Sequence, residues 1–233
     1  MTHQPRPFEF YLISLIVAFC SLIYEFVIAQ TLAAVMGGTL LCYALVIGSF
    51  TLTMGLGALH VEYLTRSASQ AISYSWRHFL HVEIMLTLLG ALGPWWVLWL
   101  DPVQWSIEVY WPVQILAFLP SLIIGWYTGK ELPLLMNLAT DSSRSLRVMA
   151  FDYLGMFVAS LSFPLFLLPQ LGVWGTSLLT ALLNAAAAAW VLWRSRAPAY
   201  WSWLQTGFVV LLLFAWSQQQ RLEIFATNWF SRV

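Results

Sequence analysis

The side chains that could do chemistry in this sequence are few, and the most unusual of them is a carboxyl. The chain has ten Asp and Glu and ten Lys and Arg among 233 residues. Glu25 lies well inside an apolar stretch, and no basic residue lies at a similar depth in the other stretches. Such a carboxyl must be protonated, hydrogen-bonded or paired with a cation. Glu25 is therefore either structural, bonded to a side chain such as Asn184, or a site for a proton or small cation.

A second set of ionisable side chains is predicted to gather at the cytoplasmic ends of the apolar stretches. This set either forms a salt-bridge network that ties the helix ends together or, because its carboxyls outnumber its basic groups, attracts a polyamine. Glu131 is expected at a helix C-terminus, which disfavours an anion, so Arg147 on the next helix is its expected partner. Asp152, in the first turn of its helix, needs a partner least. The full candidate network is Glu62, His81, Glu83, Lys130, Glu131, Arg147 and Asp152.

Other kinds of chemistry have no clear pattern in the sequence. His78 and His81 are spaced for one helix face, but no third ligand follows from spacing, so no metal and no cofactor is expected. No nucleophile is paired with a base, which disfavours an enzymatic role for the chain. Cys20 and Cys42 fall in apolar stretches, where a structural disulfide is not expected. A net charge of +0 gives no basic surface for nucleic acid.

The elements that must position these groups are predicted to be membrane-spanning helices. Hydrophobic residues make up 61% of the chain and charged residues 9%, whereas about a quarter of the residues in a soluble domain are charged. Only helices and closed barrels satisfy their backbone in lipid, and the alternating pattern of barrel strands is absent. We therefore predict an all-α polytopic transmembrane bundle over residues 1–216, followed by a polar or amphipathic tail at 217–233.

The apolar stretches also predict orientation and packing. A span needs roughly 20 apolar residues, and about seven stretches qualify. Basic residues gather on one side, so the N-terminus is expected in the cytoplasm of a bacterial inner membrane. The small-residue face with Gly48 and Gly55, and the polar stripe of Thr176, Thr180 and Asn184, should point inward. The predicted spans are Phe10–Val35, Leu40–Leu64, Phe79–Leu100, Tyr110–Thr128, Val148–Leu168, Val173–Trp193 and Tyr200–Trp216.

Two blocks of the sequence carry a resemblance to a known family. From Cys20 to Leu59 the chain reads CSLIYEFVIAQTLAAVMGG and then VIGSFTLTMGLGAL, and from Gly129 to Gly172 it reads GKELPLL and then VMAFDYLGMFVASLSFPLFLLPQLG. Together they resemble the multi-span membrane module of membrane-fused spermidine synthase-like proteins, in which a soluble aminopropyltransferase domain follows the membrane part. At the level of fold alone, the spans also resemble half of a major-facilitator-type transporter.

The resemblance implies a helical membrane fold and a polyamine-related context. The strand, Gly-rich turn and acidic residues that would hold an aminopropyl donor derived from S-adenosylmethionine are not found in the sequence. We therefore expect a non-catalytic multi-pass subunit that contacts membrane lipid and anchors or assists a protein partner, such as a separate synthase-like chain. The alternative is a transporter or channel component for a polyamine or proton, with Glu25 and the acidic helix ends as its site.

Overall fold

The computed structural model describes residues 7–218 apart from 67–70, 101–106, 139–141 and 196–198. Within these ranges nearly every residue is helical and none is in a strand, so the all-α class is confirmed. The predicted tail lies almost entirely outside the described residues. The helices are α1 (Pro7–Met36), α2 (Thr39–Arg66), α3 (Ala71–Leu100), α4 (Ile107–Ala117), α5 (Leu119–Leu138), α6 (Ser142–Ser162), α7 (Leu168–Ser195) and α8 (Ala199–Ser217), with a π-helical turn at Phe163–Leu167.

Glycine and proline set the breaks between these helices. Gly37 and Gly38 reverse the chain between α1 and α2 with φ angles of 71° and 63°, a conformation that glycine adopts without steric strain. Gly172, with φ 64° and ψ −173°, interrupts α7 in the same way. Pro164 lies in the π-helical turn, which accommodates the backbone hydrogen bond that a proline cannot make. Pro120 follows the turn at Phe118 that separates α4 from α5.

Each of the predicted spans coincides with helix in the described part of the chain. Segments long and apolar enough to cross a membrane are Phe8–Met36, Thr39–Thr65, Arg77–Leu100, Pro112–Leu138 and Ser143–Leu192. The last of these is 50 residues long and contains both the fifth and the sixth predicted spans, which Gly172 separates. The seventh corresponds to a shorter apolar helix, Thr206–Ser217. A bundle that crosses the bilayer with seven spans stays a prediction.

Helix α1 lies at the centre of the fold and contacts α2, α3, α5, α6 and α7. Its side chains Ile23, Val27 and Leu32 are all fully buried. The small residue Gly155 allows α6 to pack closely on α1, because a side chain at Gly155 would collide with the backbone of Leu15. Helix α1 therefore provides the surface on which the rest of the bundle is assembled.

The prediction that the Gly48 and Gly55 face of α2 packs against another helix is wrong. Added Cβ atoms at Gly48 and Gly55 would meet no atom within 4 Å. The close contact of α2 with α5 is instead made by Gly129, which lies against the backbone of Met54. The outer faces of α2 and α6 expose large apolar side chains that water solvates poorly. These include Leu40, Leu45, Leu52, Leu56 and Leu59 on α2, and Tyr153, Leu154, Phe157 and Leu161 on α6.

Candidate functional site

A cavity of about 270 Å³ is lined by residues of α1, α2, α5 and α6. Most of its wall is apolar, with Phe50 and Met54 among the lining side chains. Three carboxyl side chains, Glu25, Glu131 and Asp152, also line it, and no Lys, Arg or His does so among the described residues. The cavity therefore combines apolar walls with surplus negative charge.

Helical spacing explains how these groups reach one cavity. Ser21 and Glu25 are four residues apart on α1, and Thr128 and Glu131 are three apart on α5, so each pair lies on one face of its helix. All four residues line the cavity, as does Asp152 on α6. Glu25 is only 6% exposed, so its carboxyl is directed into the protein. The same-face spacing was the signal that could have identified Ser21 and Thr128 from the sequence.

Glu131 lies deeper than the prediction allowed and has a different partner. Its carboxyl Oε2 accepts a hydrogen bond of 2.8 Å from Ser21 Oγ, and its side chain is 3% exposed. Arg147 is exposed on the surface, so the predicted pairing of Glu131 with Arg147 is wrong. The apolar stretch ends near Thr128, but helix α5 continues to Leu138. Glu131 therefore lies inside the helix and not at its C-terminus.

Glu83 of α3 is a buried neighbour of Glu131. It is 0% exposed, and its carboxyl is close enough to that of Glu131 to interact directly. Two carboxylates in such surroundings repel each other strongly, so a proton or a cation must lie between them. Glu83 was expected near the start of a span, but α3 begins at Ala71, which places Glu83 well inside the bundle.

Asn184 of α7 bonds to α3 and not to Glu25. Its Nδ2 donates to the backbone oxygen of Glu83 and to Thr87 Oγ1, both at 3.1 Å. The polar stripe on α7 thus points inward, as predicted, but its other members Thr176 and Thr180 donate to carbonyls of their own helix. Glu25 and Asn184 therefore belong to different parts of the site.

The remaining residues of the predicted network lie toward the surface. Lys130 Nζ lies 4.7 Å from the ring centroid of Trp126 and 4.9 Å from that of Tyr127, a geometry in which aromatic rings attract a cation. His81 is exposed and its ring meets that of Tyr127 edge-on at 6.2 Å. Glu62 is also exposed. The structure therefore divides the predicted network into an interior acidic group and an outer group.

The interior acidic group consists of Glu25, Glu83, Glu131 and Asp152. Across the described ranges, no group of at least 3 His, Cys, Asp and Glu side chains has a metal-binding arrangement. Neighbouring carboxyls with apolar surroundings are instead suited to proton sharing or to binding an organic cation whose methylene groups contact the walls. Fold and site together define a helical bundle with an apolar exterior and a cavity lined by carboxyls.

Comparison with known proteins adds a biochemical context. The chain is 31% identical over 187 residues to polyamine aminopropyltransferase 2 of Ralstonia nicotianae, covering 78% of this chain and 34% of that protein. It is 32% identical over 180 residues to the polyamine aminopropyltransferase of Mycobacterium tuberculosis, covering 73% of this chain and 32% of that protein. It is also 33% identical over 181 residues to polyamine aminopropyltransferase 1 of Streptomyces coelicolor, covering 75% of this chain and 32% of that protein.

These similarities support a spermidine synthase-like relationship, while the chain spans about a third of the length of the relatives it matches. No protein-family model matches the chain. No solved structure matches it either, so the likeness to half of a transporter stays a prediction. Because the relatives are named as enzymes in several bacterial species, the expectation of a non-catalytic membrane subunit is wrong. The transporter alternative is not supported.

Proposed function

We propose that this chain functions in polyamine aminopropyl transfer, as the helical region of the transferase. The observation that carries the proposal is the identity of 31% over 78% of the chain to a protein named polyamine aminopropyltransferase. Similar identities to named transferases of other bacteria support it. The activity is proposed for the transferase as a whole, of which this chain forms the helical region.

Within that function, we propose that the acidic cavity binds the polyamine. A polyamine carries ammonium groups separated by methylene chains, so it needs carboxyls at intervals and apolar surface between them. The cavity has both, because Glu25, Glu131 and Asp152 are set among side chains such as Phe50 and Met54. Charge-assisted hydrogen bonds from ammonium groups to buried carboxylates are among the stronger polar interactions in proteins.

We also propose that the helices lie in a bacterial cytoplasmic membrane, with the N-terminus in the cytoplasm and lipid against the outer faces of α2 and α6. Support comes from the lengths and hydropathies of the five candidate spans. The large apolar side chains exposed on α2 and α6 also favour lipid contact. In this arrangement the helical region corresponds to the membrane module that the sequence resembles.

The proposed function is tested by assaying the protein from its native membranes. The tagged chain is purified in mild detergent and supplied with deuterium-labelled putrescine and an aminopropyl donor derived from S-adenosylmethionine. Mass spectrometry should detect the labelled aminopropyl adduct, and the preparation from an untagged strain should not form it. A strain lacking the gene should form less of the adduct in whole cells, and expression of the wild-type chain should restore it. Absence of adduct from the purified protein, together with unchanged formation in the deletion strain, would refute the function.

A further inference from the structure

Behind the wall of the cavity lies a group of buried polar atoms without partners, here called the acceptor cluster and formed by Tyr24, Glu83, Glu131 and Asn184. Their side chains are 1%, 0%, 3% and 0% exposed, respectively. With both carboxyls ionised, no donor among the described residues reaches Glu83 Oε1, Glu83 Oε2, Glu131 Oε1 or Asn184 Oδ1, and the Tyr24 hydroxyl has no partner either. Buried polar atoms are nearly always hydrogen-bonded, so this many orphans in one place call for an explanation.

The orphan atoms share one chemical character, because all but the Tyr24 hydroxyl are acceptors when the carboxyls are ionised. Two kinds of group would therefore satisfy them: protons on the carboxyls themselves, or a cation that donates several hydrogen bonds. Lys130 is adjacent to Glu131 in sequence, but its Nζ lies over the rings of Trp126 and Tyr127. Among the side chains that the structure describes, no basic group is seen to supply the missing donors.

A primary ammonium group fits this requirement. It carries one positive charge and three donors, which match oxygens offered by Glu83, Glu131 and Asn184. Its charge also offsets the repulsion between the neighbouring carboxyls of Glu83 and Glu131, which a neutral donor such as water does not. The hydroxyl of Tyr24 remains as a donor to one of the carboxylate oxygens.

Glu131 connects the acceptor cluster to the cavity. Its side chain lines the cavity, while its Oε1 belongs to the cluster. An ammonium group bound at Glu131 therefore leaves its methylene chain to extend into the apolar part of the cavity. Glu25 and Asp152 line that same cavity and offer carboxyls to a second ammonium group.

We propose that the acceptor cluster binds one terminal ammonium group of an unbranched diamine and that Glu25 and Asp152 bind the other. The choice of a diamine as ligand rests on the proposed function, whereas the suitability of a cationic donor rests on the cluster itself. This arrangement assigns Glu83 a binding role although it does not line the cavity. It also assigns the site a preference for two charged ends over one.

The first experiment measures binding by calorimetry on the full chain purified in nanodiscs. The probes are putrescine, butylamine and 1,4-butanediol, which present two, one and no ammonium groups on chains of the same length. Putrescine should bind most tightly and butanediol should not bind. Glu83→Gln and Glu25→Gln should each weaken putrescine on the order of 30-fold, as expected when one partner of a buried charge pair is lost. Glu62→Gln is the control, because that carboxyl is exposed, and it should bind putrescine as the wild type does.

Wild-type affinity in folded Glu83→Gln would overturn the role of the acceptor cluster, as would equal affinity of the wild type for putrescine and butanediol. If Glu83→Gln does not fold, solid-state NMR on the wild type decides. Putrescine labelled with ¹⁵N should show dipolar contacts to ¹³C-labelled carboxyl carbons of Glu and also to those of Asp, because Glu side chains lie at both ends of the diamine and Asp152 at one. Absence of either contact in the bound state refutes the arrangement.

The outcome is separable from that of the proposed function. Aminopropyl transfer that continues in Glu83→Gln with an unchanged KM for the diamine would leave the function standing and refute the acceptor cluster. Tight, Glu83-dependent putrescine binding by a wild-type protein that forms no adduct, with unchanged adduct formation in the deletion strain, would support the cluster and refute the function.

Discussion

The close contact between α2 and α5 leads to a sharp stability prediction at Gly129. A Cβ atom at this position would collide with the backbone carbonyl of Met54 on α2. Backbone atoms cannot rotate away as the end of a side chain can, so Gly129→Ala must push the two helices apart. Gly48→Ala is the matched control, since it makes the same chemical change on α2 where nothing lies within 4 Å.

The expected magnitude follows from two opposing effects. Alanine in place of a helical glycine stabilises by about 0.5–1 kcal/mol through backbone entropy, and both variants gain this amount. Overpacking costs about 1–3 kcal/mol and applies to Gly129→Ala alone. Gly129→Ala should therefore be less stable than Gly48→Ala by about 1–3 kcal/mol, while Gly48→Ala should be slightly more stable than the wild type.

The assay is reversible unfolding of the purified protein in mixed micelles, followed by far-UV circular dichroism as the fraction of denaturing detergent rises. Both variants and the wild type are measured in the same lipid and detergent. If Gly129→Ala and Gly48→Ala are equal within about 0.5 kcal/mol, the usual scatter of surface substitutions, then α2 and α5 do not pack as described and the reasoning fails.

Three further predictions follow from the polar contacts and the proposed orientation. Ser21→Ala should destabilise the wild type by about 1 kcal/mol but should cost much less in a Glu131→Leu background, because Ser21 and Glu131 share one hydrogen bond; an equal cost in both backgrounds, in the same unfolding assay, would contradict that contact. Asn184→Ala should lower the free energy of unfolding by about 1–3 kcal/mol, since it removes two donors to α3; a neutral effect would show those bonds to be absent. Cysteines introduced at Thr39 and Ser143 should react with an impermeant maleimide from outside and from the cytoplasm, respectively, over a low background because Cys20 and Cys42 are buried; labelling of both from the same side would refute the orientation.

The helices were predictable from the sequence because apolar stretches and helices nearly coincide in this chain. The breaks between helices follow from glycine and proline, which act through local backbone geometry, as at Pro164 and Gly172. The depth of the carboxyls in the bundle could not be predicted from the sequence. Hydropathy marks where an apolar stretch ends, but not where a helix ends. Helix α3 begins before the apolar stretch that contains Glu83. Helix α5 continues past the end of the apolar stretch that precedes Glu131. The sequence therefore placed Glu83 and Glu131 at the ends of the bundle, although both lie inside it.

Which helices contact each other could not be predicted from the sequence either. Asn184 was recognised as an inward-pointing polar residue, but its partner could have lain on any neighbouring helix. Small residues lie on more than one face of α2. Only the structure shows that the face with Gly48 contacts no other helix among the described residues and that the face with Met54 contacts Gly129 of α5. Such choices depend on the rotation of each helix about its axis, which is decided by the sum of many contacts and not by a local pattern.

The central position of α1 has a consequence for how the protein is made. Ser14 donates to the carbonyl of Val148, 134 residues later in the chain, and Ser21 donates to Glu131, 110 residues later. Ribosomes add about 5–20 residues per second, so the partners of α1 emerge on the order of 5–30 s after it. In the proposed membrane setting, Ser14 and Ser21 of α1 must remain without these partners through that interval. We therefore expect nascent chains arrested before α5 to remain bound to the insertion machinery or be degraded, and chains arrested after α6 to be released into the bilayer.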